Sequence, residues 1–454
     1  MSDTLMRSVS GVRGIVGTDI TPELVTRYAR AFGTLMLRDD GGPVVVARDS
    51  RASGAMLASA VVSGLRSLGC DVIDCGLVPT PSAQLAVEHH SARGAIVVTA
   101  SHNPIEWNAL KFIGPDGLFL DSESGEALQA LVSSGDREAG SNDQGSLAVD
   151  DQAADRHLDL ILQLPFVDAE SVGRRSPLVA LDCVRGAGGV IMPALLERLG
   201  CEVRVINGET DGEFPRAPEP VAQNLGELCE FVIETGADFG LAVDPDVDRL
   251  AIVDETGTAI GEDYTLAFAV EFILSRKHGP VVINLSTSQV VDDAAARFDA
   301  PVRRTRVGEA NVARAMRQEA AVIGGEGNGG VILPDLHLGR DAPLAAALIA
   351  SFMVAFDLSV SQVVNRNPKY RIIKDKVSGI GAIEDAYDRL REVYGGATCD
   401  TQDGLRLSWG DRWLHVRPSG TEPIVRLIAE APSEDVALSL IRKAKELMVV
   451  SSNS

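Results

Sequence analysis

No stretch of this chain is apolar for long enough to span a bilayer, and it opens on no signal peptide. Cysteine is scarce: Cys70, Cys75, Cys183, Cys201, Cys229 and Cys399 are the six in 454 residues, with no zinc spacing among them. These absences argue against a membrane span and a disulfide scaffold, and predict a cytoplasmic protein with reduced thiols. Positive charge is also short. Lys and Arg number 42 against 64 Asp and Glu, a formal net charge of −22. That balance argues against nucleic acid or an anionic membrane as the partner. An anionic substrate would need its basic receptors gathered in one place. Low-complexity tracts are absent too.

What is present has an ordinary globular composition, 45% hydrophobic and 23% charged. The length exceeds what one core supports, so three or four domains are expected. One unit is used three times. Turn, apolar strand and polar residues recur at 42–49, 176–183 and 279–286. Each is followed by a helical pattern and a second strand, beginning near Gly69, Gly200 and Ala300. A third strand closes each unit, read at 95–98, 239–243 and 320–323. Strands alternating with helices imply mostly parallel sheets. Polarity rises at 133–151, 257–261 and 365–368, which divides the chain into 1–150, 151–258, 259–367 and a smaller α+β segment at 368–454.

Chemistry collects after each third strand. The first is followed by Ser101-His102-Asn103, at a carboxyl strand end where open α/β sheets bind ligands. A helix cap or a turn would use the same residue types. The second is followed by Asp244, Asp246 and Asp248, whose carboxylates point the same way in an extended loop. A hard divalent cation resolves their repulsion, and Mg²⁺ suits three carboxylates and one open face. An EF-hand is excluded, because Arg249 stands where its sixth-position glycine belongs and residues 250–253 read as a strand. A structural turn is the remaining alternative. The third is followed by Glu326 and Asn328 among glycines, a loop that allows close approach to vicinal hydroxyls. A fourth loop, 417–423, joins Arg417, Ser419, Gly420 and Thr421 into a phosphate cradle, with Arg426 beside it.

In this order, these loops resemble the α-D-phosphohexomutase family along essentially the whole chain. The family's phosphoserine loop matches 99–104, with Asn108 and Lys111 following, and its metal loop matches 244–249. Its phosphate loop matches 417–423, its N-terminal motif matches 10–14, and Arg48-Asp49-Ser50-Arg51 also fits. The resemblance implies three related mixed-sheet α/β domains around a central cleft, plus a smaller C-terminal domain. It implies phosphoryl transfer between the C6 and C1 oxygens of a hexose, through phosphoserine at Ser101 and a hexose 1,6-bisphosphate. Mg²⁺ would be held by Ser101, Asp244, Asp246 and Asp248. Ser101, His102, Lys111 and Arg13 would be catalytic, with Lys111 the general acid/base through a lowered pKa. Arg249, Gly308, Glu326, Asn328, Arg417, Ser419, Gly420, Thr421 and Arg426 would bind substrate. The partner would be a small sugar phosphate, and the protein a monomer or homodimer.

Two departures stand out. Trp107 and Ala109 stand where family members commonly have Tyr or Phe and then Gly. Asn328 and Gly330 stand where many have Ser and His, so no acid/base role carries over to position 330. His337, Arg340 and Asp341 resemble the subset assigned to phosphoglucosamine mutases; phosphomannomutase/phosphoglucomutase is the alternative. Rivals from other classes lack their signatures. No Gly-x-Ser-x-Gly elbow surrounds Ser101 and no Gly-Lys-Ser/Thr nucleotide loop occurs. An inactive sugar-phosphate-binding paralogue would not need all these groups, and they are all kept.

Overall fold

A computed structural model of the chain describes residues 4–8, 11–37, 41–134, 144–378, 383–419 and 424–449. The sequence repeat is one strand order used three times. The middle sheet runs Leu250–Val253, Phe239–Val243, Leu178–Asp182, Glu202–Ile206. The third sheet repeats that order with Gly330–Ile332, Ile323–Glu326, Val281–Asn284, Val302–Thr305. In the first, Trp107–Ile113, Gly94–Val98, Val44–Arg48 and Val72–Leu77 are the heart of a seven-stranded sheet. The last three strands of each set are parallel, and the first returns antiparallel. Each chemistry-bearing loop therefore links a parallel strand to its antiparallel return.

Composition explains this arrangement. Gly94–Val98 and Phe239–Val243 are buried at every position, as parallel strands covered on both faces must be. Helices start where the chain supplies a cap, as where the Thr21 side chain accepts from Leu24 N (3.3 Å) ahead of Pro22–Met36. The middle and third sheets share one apolar core from Leu158 to Val363, centred on the buried helices Asp263–Leu274 and Ala342–Phe356. Among the described residues, no single helix is long and apolar enough to cross a membrane.

Two expectations shift. The third strand of the third unit lies at Ile323–Glu326 rather than 320–323. Ala320 sits in the left-handed region (φ 49°) after the helix Glu309–Gln318, and the strand begins only where Ile323 meets Val281. It then runs through two glycines. Gly325 has φ +152°, and a Cβ there would lie 2.1 Å from the Gly330 carbonyl oxygen. Glu326 thus arrives at a strand end, paired with Gly330. Within 133–151, read as a linker, Leu147–Val149 adds a parallel strand beside Val72–Leu77; residues 135–143 lie outside the described residues.

The C-terminal unit is an antiparallel sheet, Arg371–Ser378, Ile424–Ala431, Trp413–Pro418, Leu405–Ser408, Thr398–Asp400, packed by the helices Ile383–Val393 and Glu434–Val449. It docks on the third unit through polar contacts. Glu430 Oε1 accepts from Gln289 N (2.9 Å) and Trp413 Nε1 (2.8 Å). The fully buried His415 donates from Nε2 to the Asp403 carbonyl (2.6 Å) and meets Ser286 Oγ at Nδ1 (2.9 Å). Burial lowers the His415 imidazole to about 4, from its ordinary 6.5. The unfolded chain therefore takes up this proton first. Its contribution is intact above pH 6.5 and is lost as pH falls toward about 4. The cost is roughly 3 kcal/mol over that window. Denaturant unfolding at pH 7 and pH 4.5 should show it, and His415→Gln should flatten that difference.

Candidate active site

The strand Gly94–Val98 delivers the serine loop. Thr99 Oγ1 donates to Asp49 Oδ2 (2.6 Å) and accepts from Ser101 N (2.9 Å), which holds Ser101 at φ +49°. The loop closes around the buried guanidinium of Arg51. It donates to the carbonyls of Ser101 (2.6 Å), Asn103 (2.6 Å), Pro104 (2.7 Å) and Trp107 (2.9 Å), with Nε on Asp49 Oδ2 (3.1 Å). Burial raises the Asp49 carboxyl, and Arg51 opposes that. Arg51→Met would strand a buried carboxylate and four carbonyls. A loss of about 3–5 kcal/mol is expected, checked by urea unfolding.

Ser101 Oγ donates to Asp244 Oδ2 (2.8 Å) and lies 3.3 Å from His102 Nδ1. Asp244, Asp246 and Asp248 are buried, and one carboxylate oxygen from each falls within 4.8 Å of the others. Their outer oxygens are fixed. Asp244 Oδ1 accepts from the N–H groups of Asp248 (3.1 Å) and Arg249 (3.2 Å). Asp246 Oδ2 accepts from Thr80 Oγ1 (2.6 Å) and Lys111 Nζ (2.6 Å). Asp248 Oδ2 accepts from Arg340 Nη2 (2.6 Å) and Lys111 Nζ (3.2 Å). Asp246 Oδ1 and Asp248 Oδ1 have no hydrogen-bond partner among the described residues. Buried carboxylates anchored on one oxygen, with the other oxygen of Asp246 and Asp248 outside any hydrogen bond, fit a hard divalent cation; Arg249 Nε lies 3.7 Å from Asp248 Oδ1. Burial, then Asp248 and Asp246, push the Asp244 carboxyl well up, the repulsion that such a cation relieves.

Lys111 differs from its expectation. Burial works against its charge, but Asp246 and Asp248 outweigh burial and raise the ammonium above its ordinary range. A lowered pKa was expected of Lys111, and beside these two carboxylates its ammonium is raised instead. Lys111 Nζ also ties Asp246 to Asp248. The His102 imidazole is held neutral, by burial first and then by Arg249. Arg13 donates to Asn103 Oδ1 (3.2 Å), and Arg249 to Glu219 Oε1 (3.0 Å). Burial lowers Arg13, and the charges of Arg249 and Arg426 lower it further. Such mutually repelling cations are set for an anion.

Glu326 was expected to hold vicinal hydroxyls from a flexible loop. The structure spends most of it. Oε1 accepts from Asn284 Nδ2 (2.8 Å) and Gly308 N (2.8 Å), and Oε2 from Arg340 Nη1 (2.9 Å). Gly308 therefore commits its N–H to Glu326. Asn328 accepts from Gly330 N at Oδ1 (3.2 Å) and lines the cleft. Arg417 faces Asp403 Oδ2 (3.0 Å) and stands opposite Arg426 in the sheet; Ser419 N donates to the Ile424 carbonyl (2.8 Å). Gly420 and Thr421 lie outside the described residues. A cleft of about 1300 Å³ is lined by residues of all four units, among them Arg13, Arg249, Glu326 and Arg417.

Thr80 and Glu309 carry no motif signal of their own, and Arg340 was read only with His337 and Asp341 as a mark of a family subset.

Comparison with known proteins agrees with this architecture. Four models match in chain order: phosphoglucomutase/phosphomannomutase alpha/beta/alpha domain I at residues 5–139, domain II at 155–257, domain III at 261–370, and the C-terminal domain at 373–446. A phosphoglucomutase/phosphomannomutase of Thermococcus kodakarensis is 40% identical over 445 residues, covering 96% of this chain and 97% of its own. A phosphoglucosamine/phosphogalactosamine mutase of Sulfurisphaera tokodaii is 32% identical over 449 residues, 96% and 98% of the two chains. A phosphoglucomutase/phosphomannomutase family protein of Burkholderia thailandensis has a TM-score of 0.84 at 26% identity, over 99% of each chain. At 14% identity and a TM-score of 0.61, an N-acetylphosphoglucosamine mutase of Aspergillus fumigatus, in complex with GlcNAc-6P and magnesium, shares the fold; 98% of this chain and 96% of that one are covered. The chain belongs to the α-D-phosphohexomutase family.

Proposed function

We propose that the protein interconverts hexose 6-phosphates and hexose 1-phosphates, with Ser101 as the phosphoryl carrier. The observation that carries this is Ser101 Oγ on the Asp244 carboxylate, 2.8 Å away, within a buried three-aspartate cluster beside a cleft lined by all four units. In the forward step the Ser101 Oγ–P bond breaks as a hydroxyl oxygen of the bound monophosphate forms its bond to that phosphorus, and the hydroxyl proton ends on Ser101 Oγ. The hexose 1,6-bisphosphate turns over in the cleft. Its other phosphoryl group then returns to Ser101.

Such transfer depends on positioning and charge neutralisation. Asp244, Asp246 and Asp248, with an oxygen on Ser101, would hold Mg²⁺, which when bound supplies positive charge against the phosphoryl group. Arg13 and Arg249 meet the reacting phosphate. Arg417, Ser419 and Arg426, with Gly420 and Thr421, hold the phosphate that is not reacting. Glu326 keeps one acceptor site for a sugar hydroxyl.

Glucosamine phosphate is the first reading of the sugar, supported by the stretch His337, Arg340, Asp341 and by the mutase of Sulfurisphaera tokodaii. The relative at 40% identity favours glucose and mannose phosphates as the second. Turnover of glucosamine, glucose and mannose 6-phosphates, with and without the matching 1,6-bisphosphate, tests the reading. A preferred substrate, stimulated by its bisphosphate, supports it. Binding without turnover of any of the three would leave a sugar-phosphate-binding protein instead.

A further inference from the structure

Arg340 is a buried cation of the site to which the transfer reaction gives no task. Its backbone is fixed by the next residue. Asp341 caps the helix Ala342–Phe356 by accepting from Leu344 N (2.8 Å), and its own N–H donates to the Val331 carbonyl (2.9 Å). From there the guanidinium is shared three ways. Nη2 donates to Asp248 Oδ2 (2.6 Å), Nη1 to Glu326 Oε2 (2.9 Å) and Nε to Glu309 Oε2 (3.0 Å). The three carboxylates come from the metal loop, the end of the sugar-facing strand and the start of the helix Glu309–Gln318. Glu309 is itself held through Oε1 by Gln84 Nε2 (3.2 Å) of the first unit.

The room for this tie comes from Gly330. A Cβ there would lie 2.3 Å from Arg340 Cδ and 2.9 Å from its Cγ. A side chain at 330 would therefore push the Arg340 stem out of its present path. Glycine stands at the position where many members of the family have histidine.

The consequence falls on Glu326. A carboxylate offers about four acceptor sites. Asn284 and Gly308 take both on Oε1, and Arg340 takes one on Oε2, so a single site on Oε2 remains for a ligand hydroxyl. We propose that Arg340 is a positioning residue that sets sugar specificity: it aims that remaining site of Glu326 and locks it to Asp248 of the metal loop, in space that Gly330 keeps clear. The proposal rests on the mutase reading above. Its rival is that Arg340 only neutralises three buried carboxylates.

Two variants separate these. Arg340→Lys keeps the charge but loses the planar three-way fork. Gly330→Ala keeps every charge and displaces the Arg340 stem. The readout is the spread in kcat/KM across glucosamine, glucose, mannose and galactose 6-phosphates, beside thermal unfolding. If Arg340 aims Glu326, each variant that folds compresses that spread by about tenfold or more, because a misaimed acceptor no longer rejects the wrong hydroxyl. A wild-type spread in Gly330→Ala overturns the proposal whatever Arg340→Lys does, since Gly330→Ala moves the Arg340 stem without removing any charge or hydrogen-bonding side chain. Absence of wild-type turnover on all four sugars overturns the mutase reading, and this inference with it. Wild-type turnover with an unchanged spread in the variants overturns the inference alone.

Discussion

Ser101→Ala is expected to fold normally and to lose turnover on every hexose phosphate by about four decades or more. The loop does not need the hydroxyl to hold its shape. Ser101 is fixed through its backbone, by Thr99 Oγ1 on the N–H and Arg51 Nη2 on the carbonyl. What the variant loses is one hydrogen bond to Asp244, worth about 1 kcal/mol, and the oxygen that would carry the phosphoryl group in the proposed reaction. Denaturant unfolding checks the first part, and turnover with added 1,6-bisphosphate checks the second. A variant that kept wild-type turnover would remove Ser101 from the reaction.

Asp246→Asn is expected to cost about a hundredfold or more in metal affinity and to lower turnover with it. The amide cannot offer a charged oxygen in place of Oδ1, which has no hydrogen-bond partner among the described residues. Its other end still meets the Thr80 hydroxyl, while Lys111 keeps Asp248. Stability should change little, since one of three mutually repelling buried carboxylates is gone. Titration of activity against Mg²⁺, with calorimetry of Mg²⁺ binding, reads both effects. If the aspartates only shaped a turn, the Mg²⁺ requirement would stay as in the wild type and stability would fall.

The loops after the third strands could be found in the sequence because an apolar strand followed at once by polar residues is a local pattern. Repetition of that pattern gave the three related sheets. Glu326 was read in a loop because two glycines weaken any strand signal, whereas pairing with Val281 and Gly330 overrides that weakness. Arg340 and Lys111 show a deeper limit. Their charges are set by Asp246, Asp248, Glu309 and Glu326, carboxylates brought in by other strands and helices. The Lys111 ammonium was therefore expected in the wrong direction: burial alone would lower it, and only the fold supplies the two aspartates that reverse the sign. Arg51 was visible as part of a motif, but not as the cation that four loop carbonyls close around.

The most direct test of Ser101 as carrier is a single turnover followed by intact-mass and peptide analysis. Protein phosphorylated by a hexose 1,6-bisphosphate and freed of excess ligand is mixed with one equivalent of its preferred hexose 6-phosphate and Mg²⁺. With ¹⁸O in the phosphoryl group on Ser101, the account predicts that the label passes from the peptide containing Ser101 to the hexose phosphate, while that peptide becomes phosphorylated again by the unlabelled phosphoryl group of the substrate. A labelled phosphoryl group that stays on the protein while monophosphate is isomerised, or one found on a residue other than Ser101, would contradict it.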